Sequence, residues 1–138
     1  MVTLLEAWPL TGQRQHYCSY CLRYIEVDAD LCPRLSCGKA RPSSGWPHFF
    51  EAGENIDGRF RIRNRLGAGG AGVTYRAIDL AADDPDHRDV ALKVLHLDRG
   101  QGMLQDRLRL EGEVLRRLDH PNIVAFRELK VDGEDPFY

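Results

Sequence analysis

From Arg59 onward the chain alternates between apolar and charged positions. Phe60, Ile62 and, after Asn64, Leu66 are separated by arginines. That two-residue period predicts a half-buried strand over Arg59 to Leu66, with these three side chains pointing one way. Val73 to Ile78 is β-branched and aromatic and predicts a second strand; Val90 to Leu95 predicts a third, apolar except for Lys93. Gly67 to Gly72 between the first two strands is a glycine-rich turn, and Ala81 to His87 is an acidic loop with a proline. Over Gly102 to Leu118 the period changes: Leu104, Leu108, Glu111, Leu115 and Leu118 fall four and three residues apart, the face of a helix. Ile123 to Val131 predicts a last strand, with a hairpin signal at Asp132-Gly133. Pro136-Phe137-Tyr138 begins a further element. Strand, strand, strand, helix, strand is an α+β order.

The first 56 residues lack this regularity. Residues 1–15 read as a lead, 16–40 hold every cysteine, and 41–56 read as a linker, because Arg41-Pro42-Ser43-Ser44-Gly45-Trp46-Pro47 sustains neither helix nor central strand. The regular unit covers 57–138, and there are no internal repeats. The 138 residues are 43% hydrophobic and 29% charged with a net charge of -2, a globular composition with no electrostatic argument for nucleic acid or a membrane surface. No apolar run approaches the roughly 20 residues that span a bilayer. Met1 to Leu10 carries Glu6 and no lysine or arginine, unlike a signal peptide, so the expected location is cytoplasmic.

Cys18-x2-Cys21 is followed after ten residues by Cys32-x4-Cys37. Two cysteine pairs separated by a short span suit tetrahedral zinc, each pair giving two thiolates from a tight turn, helped in the second by Gly38. The stretch resembles a small zinc ribbon, with a longer second spacing than the usual x2. The four cysteines complete the shell without His16 or His48. So small a unit would draw most of its folding energy from the metal. Arg23, Arg34, Lys39 and Arg41 are offset by Glu26, Asp28 and Asp30, so they form no basic stripe, and Tyr17, Tyr20 and Tyr24 read as a miniature core.

Gly67, Gly69 and Gly72 spell G-x-G-x-x-G within Leu66-Gly67-Ala68-Gly69-Gly70-Ala71-Gly72-Val73-Thr74. Such a loop lets backbone N–H groups approach phosphate oxygens. In a dinucleotide fold the glycines would open a helix; here Val73-Thr74-Tyr75 follows, so they join two strands. With Val90-Ala91-Leu92-Lys93 in the next strand, the chain resembles bacterial Hanks-type serine/threonine protein kinases over about 80 residues. Thr74 stands where that family usually has valine.

The resemblance implies a fold and a chemistry. The fold is a small zinc ribbon followed by a truncated kinase N-lobe, an antiparallel sheet with one αC-like helix. Leu66, Thr74 and Ala91 would cover the adenine, Gly67, Ala68, Gly69, Gly70, Ala71 and Gly72 would cradle phosphates, and Lys93 would meet the α- and β-phosphates of ATP with magnesium. Glu111 is the only charged member of its helical stripe, so a cation should meet it, and Lys93 is the candidate in the lobe's active arrangement. The family turn His120-Pro121-Asn122-Ile123-Val124 selects the same glutamate.

His87-Arg88-Asp89 spells a catalytic motif but lacks the asparagine five residues on, where Val94 stands, and runs straight into the lysine strand; it reads as a solvated strand entry. The 138 residues contain no Asp-Phe-Gly. The hinge, the catalytic aspartate and the magnesium ligands would lie past Tyr138, so phosphoryl transfer to a protein substrate is expected of a longer parent and not of this chain. Two other readings stay open: a non-catalytic adaptor of ribbon and nucleotide-binding lobe, and a zinc-ribbon nucleic-acid binder. The ribbon's partner is open in each.

Overall fold

A computed structural model of the chain describes residues 14–96 and 101–130, the side chains of 101–105 excepted. Two short strands, β1 (His16–Tyr17) and β2 (Tyr24–Ile25), pair antiparallel around the cysteine turns. Four more, β3 (Asn55–Ile56), β4 (Phe60–Ala68), β5 (Gly72–Asp79) and β6 (Asp89–Leu95), form one antiparallel sheet in sequence order. One helix follows, α1 (Gln101–Arg116). The expected α+β architecture is therefore present: antiparallel sheets, one helix and a cysteine cluster.

Local chemistry explains the hairpins. Asp57 and Gly58 have φ of 55° and 64°, and the Arg59 N–H donates to the Ile56 carbonyl, so a three-residue loop that opens with two left-handed residues joins β3 to β4. A short 3-10 turn, Pro85–His87, carries the acidic loop into β6, with Asp84 accepting from the Asp86 N–H. His87-Arg88-Asp89 is that solvated entry: Asp89 opens β6 and pairs across the ladder with Arg76.

The core lies on one face of the sheet. Ile56, Phe60, Ile62, Val73, Tyr75, Ala77 and Leu92 are buried there together with Tyr17 and Phe49. Tyr17 and Phe49 stack with ring centroids 4.1 Å apart, and Arg65 lies over Phe49. Tyr17 and Phe49 thus share the core of the sheet, while Cys18, Ile25, Cys32 and Trp46 form a second cluster of their own. Residues 41–56, expected as a linker, are part of the packing. Trp46 is buried among the cysteines and donates from Nε1 to the Ala29 carbonyl at 2.7 Å. His48 bridges to His16, and the Phe49 N–H bonds the Gln15 carbonyl.

Three further expectations change. Leu66 does not share the Phe60 and Ile62 face: the β4–β5 register shifts between Ile62 and Asn64 and again between Arg65 and Gly67, and Leu66 is 58% exposed. Each extra residue reverses the alternation of side chains. In α1 the covered positions are Leu108, Gly112 and, partly, Leu115, while Glu111 and Leu118 are exposed. Gly112 sets that phase, because its missing side chain admits the Phe126 ring, which would stand 3.1 Å from a Cβ. Leu104 lies outside the described side chains. Finally, residues 123–129 form no strand. They are held by side chains instead: Phe126 against Gly112, Arg127 donating to the His87 carbonyl, and Glu128 to Arg59. Val131, Asp132-Gly133 and Pro136-Phe137-Tyr138 lie outside the described residues.

At the end of β5, Arg59 grips buried Asp79 with two bonds of 2.8 and 2.7 Å. The guanidinium holds the Asp79 carboxyl below the usual range, outweighing burial, which acts the other way. A depressed folded pKa contributes stability above the unfolded value of about 3.9, lost as pH falls through the folded value. Asp79→Asn should cost on the order of 2 kcal/mol at neutral pH. Chemical denaturation at pH 7 and pH 3 checks this; the cost should shrink at the lower pH.

Candidate functional site: a four-cysteine centre and a glycine-rich loop

Cys18, Cys21, Cys32 and Cys37 converge, with all four Sγ atoms within 4.8 Å of one another. The Cys18–Cys37 and Cys21–Cys32 separations are 3.8 and 3.6 Å, and none of the four is in a disulfide. Four sulfurs about 2.3 Å from a tetrahedral zinc would stand about 3.8 Å apart, so the residues present fit that ion. The turns that present them are alike. Leu22 follows Cys21 with φ 61°, and Gly38 follows Cys37 with φ 54°, so each pair ends in a left-handed residue that reverses the chain. Backbone N–H groups face the sulfurs: Tyr20 and Cys21 at Cys18, Arg23 at Cys21, Arg34 at Cys32. Such amides favour thiolate.

As thiols Cys32 and Cys21 differ. Burial pushes Cys32 up to about 12, helped by hydrogen bonds from its neighbours. At Cys21 burial acts in the same direction but is outweighed by the Arg23 amide and the other thiols, which bring it down to about 7. A divalent cation would replace several protons at once, so its affinity should rise with pH. His16 and His48 stand apart from the cluster: His16 Nδ1 bonds the Trp46 carbonyl at 2.9 Å and His48 Nε2 faces Arg14.

The second constellation lies on the sheet face opposite the shared core. In the β5–β6 register Thr74 is directly opposite Lys93, and Arg76 opposite Ala91, while Tyr75 and Leu92 point into the core. Thr74, Ala91 and Lys93 therefore share one face. They line a cavity of about 480 Å³, closed on the far side by Leu115, Val124 and Phe126. The cavity runs from Thr74 and Lys93 toward Arg59 and Asp79, away from the loop.

The loop caps the other end of β4 and β5. Gly69 N–H donates to the Gly72 carbonyl at 2.9 Å and closes it. Its three motif glycines are not equivalent. A Cβ on Gly72 would stand 2.0 Å from the Val94 carbonyl oxygen, so glycine there is required by the neighbouring strand. A Cβ on Gly67 or Gly69 would meet nothing within 4 Å. The protein itself does not demand glycine at those two positions; close approach of a ligand to the backbone would.

Lys93 and Glu111 are not brought together: among the described residues no ion pair joins them, and Glu111 is exposed. Sequence reasoning missed His96. It is buried directly after β6 and reaches both the loop and the cysteine unit. Its only signal was a histidine ending an apolar strand.

No family model matches the chain. Among curated proteins, the serine/threonine-protein kinase PrkC of Bacillus subtilis is 37% identical over 87 residues, 62% of this chain and 12% of that protein. The serine/threonine-protein kinase pkn2 of Myxococcus xanthus is 34% identical over 80 residues, 57% of this chain and 9% of that protein. The serine/threonine-protein kinase PknL of Mycobacterium tuberculosis is 32% identical over 83 residues, 59% of this chain and 20% of that protein. The chain thus spans about a tenth to a fifth of the length of these relatives. Over roughly three-fifths of its residues it is similar to serine/threonine protein kinases, and those residues are joined to a four-cysteine unit that could hold a metal ion.

Proposed function

We propose that residues 57–138 supply the phosphate-facing half of an ATP site in a serine/threonine protein kinase, and that residues 16–40 form a zinc ribbon. The observation that carries the first part is the pair of glycines, Gly67 and Gly69, whose smallness serves nothing inside the protein. They sit in a strand–loop–strand unit that places Thr74, Ala91 and Lys93 on one face. Loop amides would meet the phosphates, Lys93 would add a compact positive charge, and Leu66, Thr74 and Ala91 would cover one side of the base. Magnesium, the protein substrate and the hinge contacts to adenine belong to the kinase reaction as a whole. In its active arrangement α1 would turn and approach so that Glu111 meets Lys93.

Half a site leaves bound nucleotide largely solvated, and its charges screened. The 138-residue polypeptide is therefore expected to bind Mg-ATP weakly, with a dissociation constant on the order of 1 mM or above, and to transfer no phosphate. NMR titration reads such binding directly. Shifts should be confined to 66–74 and 91–93 and should vanish in Lys93→Ala. Shifts elsewhere, or none at saturating nucleotide, would reject the reading. Micromolar binding lost in Lys93→Ala would favour a self-contained, non-catalytic adaptor.

A further inference from the structure

We propose that the four-cysteine unit is a metal-dependent brace for the glycine-rich loop, acting through Tyr17 and His96. Tyr17 directly precedes Cys18, and its hydroxyl meets His96 Nε2 at 2.6 Å in a buried position. The other ring nitrogen, Nδ1, faces the Gly70 carbonyl at a longer 3.4 Å, and the His96 N–H donates to the Ala71 carbonyl at 3.0 Å. A neutral imidazole satisfies both ring contacts at once, accepting from the tyrosine at Nε2 and donating from Nδ1. One residue thus holds two successive loop carbonyls and is itself oriented from the cysteine unit.

The geometry gives the brace a direction. Leu92, Val94 and His96 alternate with Ala91, Lys93 and Leu95, so His96 lies on the side of the shared core. In a trans peptide the C=O and the next N–H point opposite ways. A Gly70 carbonyl turned to His96 therefore sends the Ala71 N–H toward the side of Thr74 and Lys93. His96 is a positioning residue: it sets an amide where the proposed nucleotide would present phosphate. Tyr17 in turn is fixed by stacking on Phe49 and by its N–H bond to the Pro47 carbonyl, next to the buried Trp46 of the cysteine core. Loss of the metal would release Cys18 and with it the tyrosine.

The functional value of the brace rests on the nucleotide reading, but the brace can be measured without nucleotide. Amide hydrogen exchange is followed at Gly69 and at residue 96, both hydrogen-bonded in the loop clamp, with Ile62 as reference in the sheet. Tyr17→Phe keeps the ring and removes only the hydroxyl. It should retain metal and speed exchange at Gly69 and residue 96 by about fivefold, the loss of one hydrogen bond, with Ile62 unchanged. His96→Phe should act alike, and the double variant should exceed neither single change by much, because the two residues form one link. Chelation of the unaltered chain should accelerate Gly69 more than Ile62; in Tyr17→Phe the two should accelerate equally. Unchanged exchange at Gly69 in metal-loaded Tyr17→Phe overturns the brace, as does equal acceleration of Gly69 and Ile62 on chelation of the unaltered chain. Adding millimolar Mg-ADP separates the two ideas. A loop that responds to Tyr17→Phe but never to nucleotide keeps the brace and rejects the nucleotide reading.

Discussion

Removing the metal should destabilise more than the ribbon. Chain purified without chelator is expected to carry one zinc, and a strong chelator or Cys32→Ser should markedly lower its thermal transition near neutral pH while the sheet stays folded at low temperature. A four-thiolate site supplies a ribbon of this size with about 10 kcal/mol or more of folding energy, and little else is available there. Its apolar cluster is Cys18, Ile25, Cys32 and Trp46, and two of those four are ligands. The loss would spread because Tyr17 and Phe49 cover Ile56, Phe60 and Tyr75 of the sheet. The Phe50 N–H also donates to the Tyr75 hydroxyl. Stripped of that cover, the sheet would present a broad apolar face to water. Metal analysis with thermal melts at several pH values checks this. Zinc affinity should fall with acid as thiolates are protonated. Metal-free protein with an unchanged melt, or a disulfide among these cysteines, would overturn the zinc assignment and leave the spread of stability without a cause.

What was legible in the sequence depended on range. The glycine loop and the Val90-Ala91-Leu92-Lys93 strand are written within a few residues each and the cysteine quartet within one short stretch, and the structure brings the four sulfurs together. Alternation announced β4, and β-branched or apolar runs announced β5 and β6, but the two-residue strands β1, β2 and β3 are too short to carry a pattern. The packing of residue 17 on residue 49, and its bond to residue 96, join segments with no common pattern, so no local signal could announce them. Composition misled at 41–56, where prolines and serines hid the anchoring role of Trp46. Register shifts misled at Leu66, because strict alternation cannot register a bulge. At α1 the four-and-three spacing identified a helix, but a stripe of leucines fixes its covered face only within about one position. Gly112, silent in a hydrophobic count, decided it by admitting Phe126. Residues 123–129 show the converse: their apolar content suggested a ladder, but side-chain contacts hold them instead.

Single methyl groups should separate the structural glycine from the functional ones. In Gly72→Ala the new Cβ would stand 2.0 Å from the Val94 carbonyl oxygen, 2.9 Å from its carbon and 3.0 Å from the Leu95 Cα. These are backbone atoms, so no side chain can swing aside to make room. Relief requires β5 and β6 to part where Gly72 is paired with Leu95, next to the Thr74–Lys93 pair. The expected cost is about 3 kcal/mol, the upper end of ordinary overpacking, and Lys93 would shift with its strand. Gly67→Ala and Gly69→Ala meet open space and should change stability by less than about 0.5 kcal/mol, as exposed substitutions do. Denaturant unfolding of the three variants tests the ranking. Nucleotide-induced shifts then test its meaning: the two tolerated substitutions should weaken them, since a methyl group would stand between loop amides and phosphate. If Gly72→Ala unfolds like the unaltered chain, the strand contact does not require glycine. If Gly67→Ala and Gly69→Ala leave nucleotide shifts intact, the loop is a plain hairpin, and Lys93 alone would carry the phosphate-binding proposal.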